Sequence, residues 1–175
     1  MISQCGGEWL LGETSADAVC LPEDRTDEHR MIAATAHAFM EQEVLPRREA
    51  LEAKDWVLAR TLMRQCGDLG LLGVDVPDAW GGVGLDVTSS VLVSEAMGRY
   101  ASFATTAGAH MGLCIVPILW FGTPTQRQTY LPGLVSGEII GAYGLSEAAS
   151  GSDALGARAT AIRLPDGGYE LNGEK

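Results

Sequence analysis

The sequence is short of several things, and each shortage closes a route. Only 12 of its 175 residues are Lys or Arg, against 23 Asp or Glu, giving a formal net charge of -11 and a pI near 4.6. A chain this acidic lacks the basic footprint that nucleic acid or an anionic membrane surface requires. The four cysteines, Cys5, Cys20, Cys66 and Cys114, form no C-x-x-C pair, which argues against both a zinc site and a disulfide framework. They read as free thiols in a reducing cytoplasm. Three histidines, His29, His37 and His110, stand at no metal-ligand spacing, and His29 and His37 read as helix-surface residues. No 18-residue apolar run is apparent, so no membrane span is predicted. The N-terminus has no basic region followed by an apolar stretch, so no secretory signal is predicted. What is abundant is apolar surface, 46% of residues, enough for a sizeable core in one domain or in one domain and part of another.

In chain order, residues 1–25 read as an extension, with an apolar clump at Trp9, Leu10 and Leu11 and a helix breaker at Pro22. Thr26 is placed to cap a helix bearing Asp27 and Glu28 in its first turn. Ile32, Thr35, Ala36 and Phe39 then fall on one face, and Pro46 predicts an end near Leu45. A second helix is expected over Glu49 to Leu69, with a stripe of Leu58, Leu62, Cys66 and Leu69 and a stop at Gly70. Leu71 to Asp86 reads as a shaped connector. Its Gly81, Gly82 and Gly84 do not form G-x-G-x-x-G and follow no βαβ unit. A third helix is expected from Val87 to about Arg99, presenting Val91, Leu92, Glu95 and Ala96 at helical spacing. Phe103 to Phe121 carries no Asp, Glu, Lys or Arg and reads as a deeply buried helix. Ala104, Ala107, Gly108, Ala109 and Gly112 leave space beside it, for a helix neighbour or for an apolar ligand. Thr123-Pro124-Thr125-Gln126 is a capping-box start for a helix running to about Tyr130, with Pro132-Gly133 set to bend or end it.

After Gly137 the period shifts from helical to alternating. Strands are predicted at Ile139 to Ser146 and Arg158 to Leu164. A turn at Pro165 to Gly168 leads to a hairpin arm at Tyr169 to Leu171. Asn172-Gly173 signals a further hairpin turn, yet only Glu174 and Lys175 follow. A turn without its return strand predicts a piece of a longer protein, cut within a β-domain.

The most informative segment is Gly141 to Gly156, Gly-Ala-Tyr-Gly-Leu-Ser-Glu-Ala-Ala-Ser-Gly-Ser-Asp-Ala-Leu-Gly. Serines at 146, 150 and 152 crowd around Glu147 and Asp153, so the chain leaves its strand as a loop rich in N–H and hydroxyl donors. Gly151 permits close approach to a bound group or a positive φ. Successive amides in such a turn can form a nest for an anion, phosphate above all. A polar turn with a serine cluster is the plain alternative. Two other readings fail on context. Gly168 to Lys175 lacks the Gly-Lys-Ser/Thr and following helix of a P-loop. Gly144-Leu145-Ser146-Glu147-Ala148 lacks the last glycine of a nucleophile elbow.

The spacing Gly144-Leu145-Ser146-Glu147, Ser150-Gly151-Ser152-Asp153, Gly156 resembles the signature of the acyl-CoA dehydrogenase family. The likeness extends over about residues 26–175: the first helix, Gly70-Leu71-Leu72-Gly73 with Gly81-Gly82-Val83-Gly84, the Phe121-Gly122-Thr123 and Tyr130-Leu131-Pro132 segments, and Tyr169-Glu170-Leu171-Asn172-Gly173-Glu174-Lys175. Gly108-Ala109-His110 is similar to the longer-chain branch. The resemblance implies a mainly α fold: an extension at 1–25, a helical-bundle domain at 26–137, and at 138–175 the first strands of an incomplete β-barrel-like middle domain. It implies FAD lined by Tyr143, Gly144, Leu145, Ser146, Gly151 and Ser152. Ser146 would bond near flavin N5/O4, and Ser152 would reach the pyrophosphate and the CoA part of the substrate. The segment around Glu95 to Leu113 would wall the acyl slot.

The implied reaction oxidises the Cα–Cβ bond of a fatty acyl-CoA thioester to the 2-enoyl-CoA, with the cofactor carrying the redox step. No catalytic residue is expected here, because the family's glutamate base lies in a C-terminal domain, and Glu147 is given a structural role. Ala148 stands where the family usually has proline, which implies a less stiff loop. Electron-transfer flavoprotein is the implied acceptor, and a homo-oligomer, tetramer or dimer, the implied assembly. An acyl-CoA oxidase of the same fold, or a helical interaction module without catalysis, are the competing readings, and a serine hydrolase a distant one. Residues 1–175 alone are expected to show no turnover and weak or no FAD binding.

Overall fold

A computed structural model describes Gly12 and residues 21–175. The Trp9-Leu10-Leu11 clump, Cys5 and Cys20 lie outside the described residues. Helix dominates: α1 (Asp27–Phe39), α2 (Arg48–Glu52), α3 (Trp56–Asp68), α4 (Val87–Met97), α5 (Ala101–Gly108), α6 (Val116–Phe121) and α7 (Pro124–Val135). A two-stranded antiparallel hairpin follows, β1 (Thr160–Arg163) and β2 (Tyr169–Asn172).

Local chemistry starts each helix. The Thr26 hydroxyl accepts the His29 amide, while His29 Nδ1 accepts the Thr26 amide. Asp55, Asp86 and Thr123 cap α3, α4 and α7 in the same manner, and Gln126 completes the expected box on Thr123. Each such cap satisfies an amide that the helix itself cannot.

Several expectations about extent are corrected. Pro46 does not end the first helical path, because a π-helical turn (Met40–Val44) and a 3-10 turn (Leu45–Arg47) take up the missing amide and lead into α2. The expected helix from Glu49 to Leu69 is two helices, broken where Lys54 takes φ 64° and Asp55 recaps the chain. Leu62 and Cys66 are buried there, Leu58 is half-buried and Leu69 is exposed. On α4 the buried stripe is Ser89, Leu92, Val93, Ala96 and Met97, so Val91 and Glu95 face out. Pro132 lies inside α7, which runs through to Val135.

The core is built between α1, α3, α4 and α5. Ile32, Ala36, Phe39 and Met40 meet Leu62, Met63, Val93, Ala96, Met97 and Phe103, with the Phe39 and Phe103 rings 5.9 Å apart at 52°. A second cluster joins Val76, Ile115, Leu131, Leu134 and Val135. His29 is a correction: it is buried, and its Nε2 donates to Asp86, tying α1 to the cap of α4. His37 is exposed as expected.

α5, a π-helical stretch (Ala109–Ile115) and α6 form one apolar helical run, Ala101–Phe121, long and apolar enough by length and composition to cross a membrane. It is not the deeply buried helix expected. On one side Phe103 and Ala107 enter the first core cluster, Ile115 enters the second and His110 is fully buried, while Leu113, Trp120 and Phe121 are exposed. The buried imidazole bonded to a neighbouring helix marks this run as part of the helical domain.

Candidate functional site

The path from α7 to the serine-rich loop is fixed at successive points. Gly137 takes φ 70°, and a Cβ there would stand 2.6 Å from the Met63 carbonyl oxygen, so glycine alone fits. The Ile139 amide then donates to the Gly133 carbonyl at 2.9 Å. The Gly141 amide donates to His110 Nδ1 at 3.0 Å.

Beyond that point the expected strand at Ile139 to Ser146 is absent. Residues 140–146 are without regular structure, since no other described segment lies alongside to pair with them. The amides of Ala142 to Ser146 donate to no described acceptor, and the Ser146 and Ser152 hydroxyls have no described partner. Tyr143, Gly144, Leu145, Ser146, Gly151 and Ser152 are all exposed. Gly151 has an ordinary negative φ and open space around it, so the positive φ that glycine would allow is not used.

The turn itself is closed from within. Glu147 and Ser150 exchange both backbone bonds, at 2.8 and 3.1 Å, and the buried Ser150 hydroxyl donates to the Asp153 carbonyl at 2.6 Å. The Glu147 carboxylate accepts the Arg158 amide at 2.6 Å, the Ala159 amide at 3.0 Å and the Lys175 ammonium at 2.8 Å. Lys175 also donates to the Leu145 carbonyl at 2.9 Å. Led by the Lys175 contact and followed by the two amides, these bonds hold the carboxyl pKa down to about 2. Glu147 therefore ties the loop to the start of β1. A carboxylate so engaged is a poor proton acceptor, and it presents little uncompensated charge to an anion near the loop.

On the helical side a cavity of about 190 Å³ opens between α4, the connector and the α5–α6 run, its apolar lining including Leu72, Val74, Val93, Met111 and Ile115. Gly108 and Gly112 stand at its edge with no atom within 4 Å of where a Cβ would be. Of the small residues expected to leave space, these two do so, whereas Ala107 is core. Ser90, which also lines the cavity, has a buried hydroxyl with no partner. Among the described residues no group of three or more His, Cys, Asp or Glu could hold a metal. Burial raises the thiol pKa of Cys66 to about 12 and that of Cys114 in the same direction, so neither is poised as a nucleophile.

Local motif reading missed the clamps. His110 acts across 31 residues and Lys175 across 30, separations that no short pattern encodes.

Comparison with known proteins gives concordant findings. The sequence model of the acyl-CoA dehydrogenase N-terminal domain matches residues 26–138. A Bacillus subtilis (strain 168) protein named "Probable acyl-CoA dehydrogenase" is 48% identical over 174 residues, 98% of this chain and 29% of that protein. The crystal structure of an acyl-CoA dehydrogenase complexed with FAD from Bacillus anthracis superposes with TM-score 0.91 at 47% identity, covering 96% of this chain and 29% of the other. Butyryl-CoA dehydrogenase from Megasphaera elsdenii superposes with TM-score 0.76 at 35% identity, covering 85% and 40%. The chain thus spans about three tenths to two fifths of the length of these relatives.

Proposed function

The chain belongs to the acyl-CoA dehydrogenase family through its N-terminal domain, and on that premise we propose that it forms the N-terminal part of an FAD-dependent enzyme. That enzyme oxidises the Cα–Cβ bond of a fatty acyl-CoA thioester to the 2-enoyl-CoA. The observation that carries this is the loop itself: an exposed run of free amides and hydroxyls at 142–146, held at both ends and facing solvent.

The donor set suits the cofactor. Ser146 and the amides beside it would hold the polar edge of the flavin ring, and Tyr143, Gly144 and Leu145 would line it. Gly151 and Ser152 would take the pyrophosphate, since an anion is best met by N–H and hydroxyl donors, and Ser152 would also reach the CoA part of the substrate. When bound, FAD would supply the acceptor for the β-hydride. The α5–α6 run and its small-residue edge at Gly108 and Gly112 would wall the acyl chain and keep water from it. The α-proton would go to a carboxylate outside these residues, since Glu147 is committed to Arg158, Ala159 and Lys175. Electron-transfer flavoprotein as acceptor, a homo-oligomeric assembly, a place in fatty-acid β-oxidation and a cytoplasmic location belong to the same proposal.

The test is to express the whole reading frame that contains residues 1–175. The protein should purify yellow, bleach anaerobically on adding a fatty acyl-CoA, and release the 2-enoyl-CoA, detected by mass. A colourless product, or flavin that acyl-CoA does not reduce, would overturn the proposal. Rapid hydrogen peroxide production in air would move it to the oxidase branch.

A further inference from the structure

His110 is fully buried and is not accounted for by the proposed chemistry. Its ring is used at both nitrogens. Nδ1 accepts the Gly141 amide at 3.0 Å, so Nε2 carries the proton and donates to the Leu134 carbonyl at 2.9 Å. Only the neutral imidazole with this tautomer makes both bonds. One turn further along, Cys114 packs against Gly141 so closely that a Cβ at 141 would overlap its side chain. His110 and Cys114 both lie within the π-helical stretch Ala109–Ile115. Such insertions re-aim side chains and are frequent at functional sites. Helix α7, the α5–α6 run and the first residues of the loop therefore meet at one imidazole.

We propose that His110 is a positioning residue for the cofactor loop: bridging Leu134 and Gly141, with Cys114 seated against the glycine, it fixes the point from which Ala142 to Ser152 departs. This rests on the reading of that loop as the flavin site. The consequence is specific. Two residues before Tyr143 the main chain is tied to the same helical run that would wall the acyl slot, so the bridge sets the distance between slot and loop. An amide acceptor and donor of similar reach would do the same work, whereas an apolar side chain of like volume would fill the space and release the loop.

The experiment has two arms. In the 175-residue chain, amide exchange at Gly141 and ¹⁵N relaxation at Ala142 to Ser146 are measured for wild type, H110L, H110Q and G141A. In H110L the Gly141 amide should exchange at least ten times faster and the order of 142–146 should fall, with protection in α1 and α4 unchanged. H110Q should stay within threefold of wild type. G141A, which drives a methyl into Cys114 while keeping the histidine, should loosen 142–146 as H110L does, and it decides the matter if H110L does not fold. In the second arm, FAD dissociation is followed in the holoprotein from the whole reading frame, and H110L should release flavin at least ten times faster than wild type or H110Q. Unchanged exchange and order in H110L and G141A would overturn the proposal, as would flavin release that ignores a loosened loop. A wild-type protein that shows the rigid Gly141 bond yet takes up no FAD would instead overturn the cofactor reading and leave the bridge standing.

Discussion

At the scale of single residues, Glu147 shows how the proposed cofactor loop is held by a carboxylate whose bonds are already taken. Its carboxylate gathers two amides and an ammonium, and its folded pKa of about 2 lies below the ordinary 4.5. A depressed carboxyl pKa stabilises the folded form fully above the unfolded value and loses that contribution as pH falls through the folded one. The link between loop and hairpin should therefore be complete above about pH 4.5 and weaken progressively toward about pH 2. Amide exchange at Arg158 and Ala159 across that range checks it, and Glu147→Gln should remove most of the pH dependence. Ser90 makes the opposite case. Its buried hydroxyl has no partner, and such a group costs on the order of 1–3 kcal/mol. Ser90→Ala should raise stability by about 1 kcal/mol, read from denaturant midpoints.

At the scale of elements, two helix starts were legible because a cap is a local event: Thr26 and Thr123 each serve an amide three residues away, whereas the Asp55 cap that opens α3 went unread. Thr123→Ala should cost about 1 kcal/mol. Helix ends were less legible. Pro46 and Pro132 are local breakers, yet π and 3-10 turns carry the chain past the first, and the second is tolerated within α7. The strand at 139–146 was misread for a different reason. Its alternation is local, but a strand exists only beside a partner, and none of the described residues supplies one. The serine-rich loop was legible in outline, whereas the buried role of His29 and both clamps on the loop depend on contacts made at long range. Gly137 belongs to this scale too, because it turns α7 into the loop. Gly137→Ala should destabilise by more than about 1–2 kcal/mol, as φ 70° alone costs that much for an L-residue, and the Met63 carbonyl blocks the methyl.

At the scale of the whole molecule, the helical domain is the packed base from which the loop departs. It carries an apolar run along one side and projects from one corner a loop whose free donors face outward. With a net charge of -11 the chain offers little long-range attraction to an anion, so on the proposed reading a phosphate-bearing ligand would be met locally, by amides and hydroxyls at 142–146 and 151–152. On the proposed function this loop grips the flavin nucleotide. The most direct measurement is amide chemical-shift mapping of the holoprotein, with and without FAD. The account predicts the largest shifts at Ala142 to Ser146, Gly151 and Ser152. Shifts concentrated elsewhere, with these amides unmoved, would contradict it.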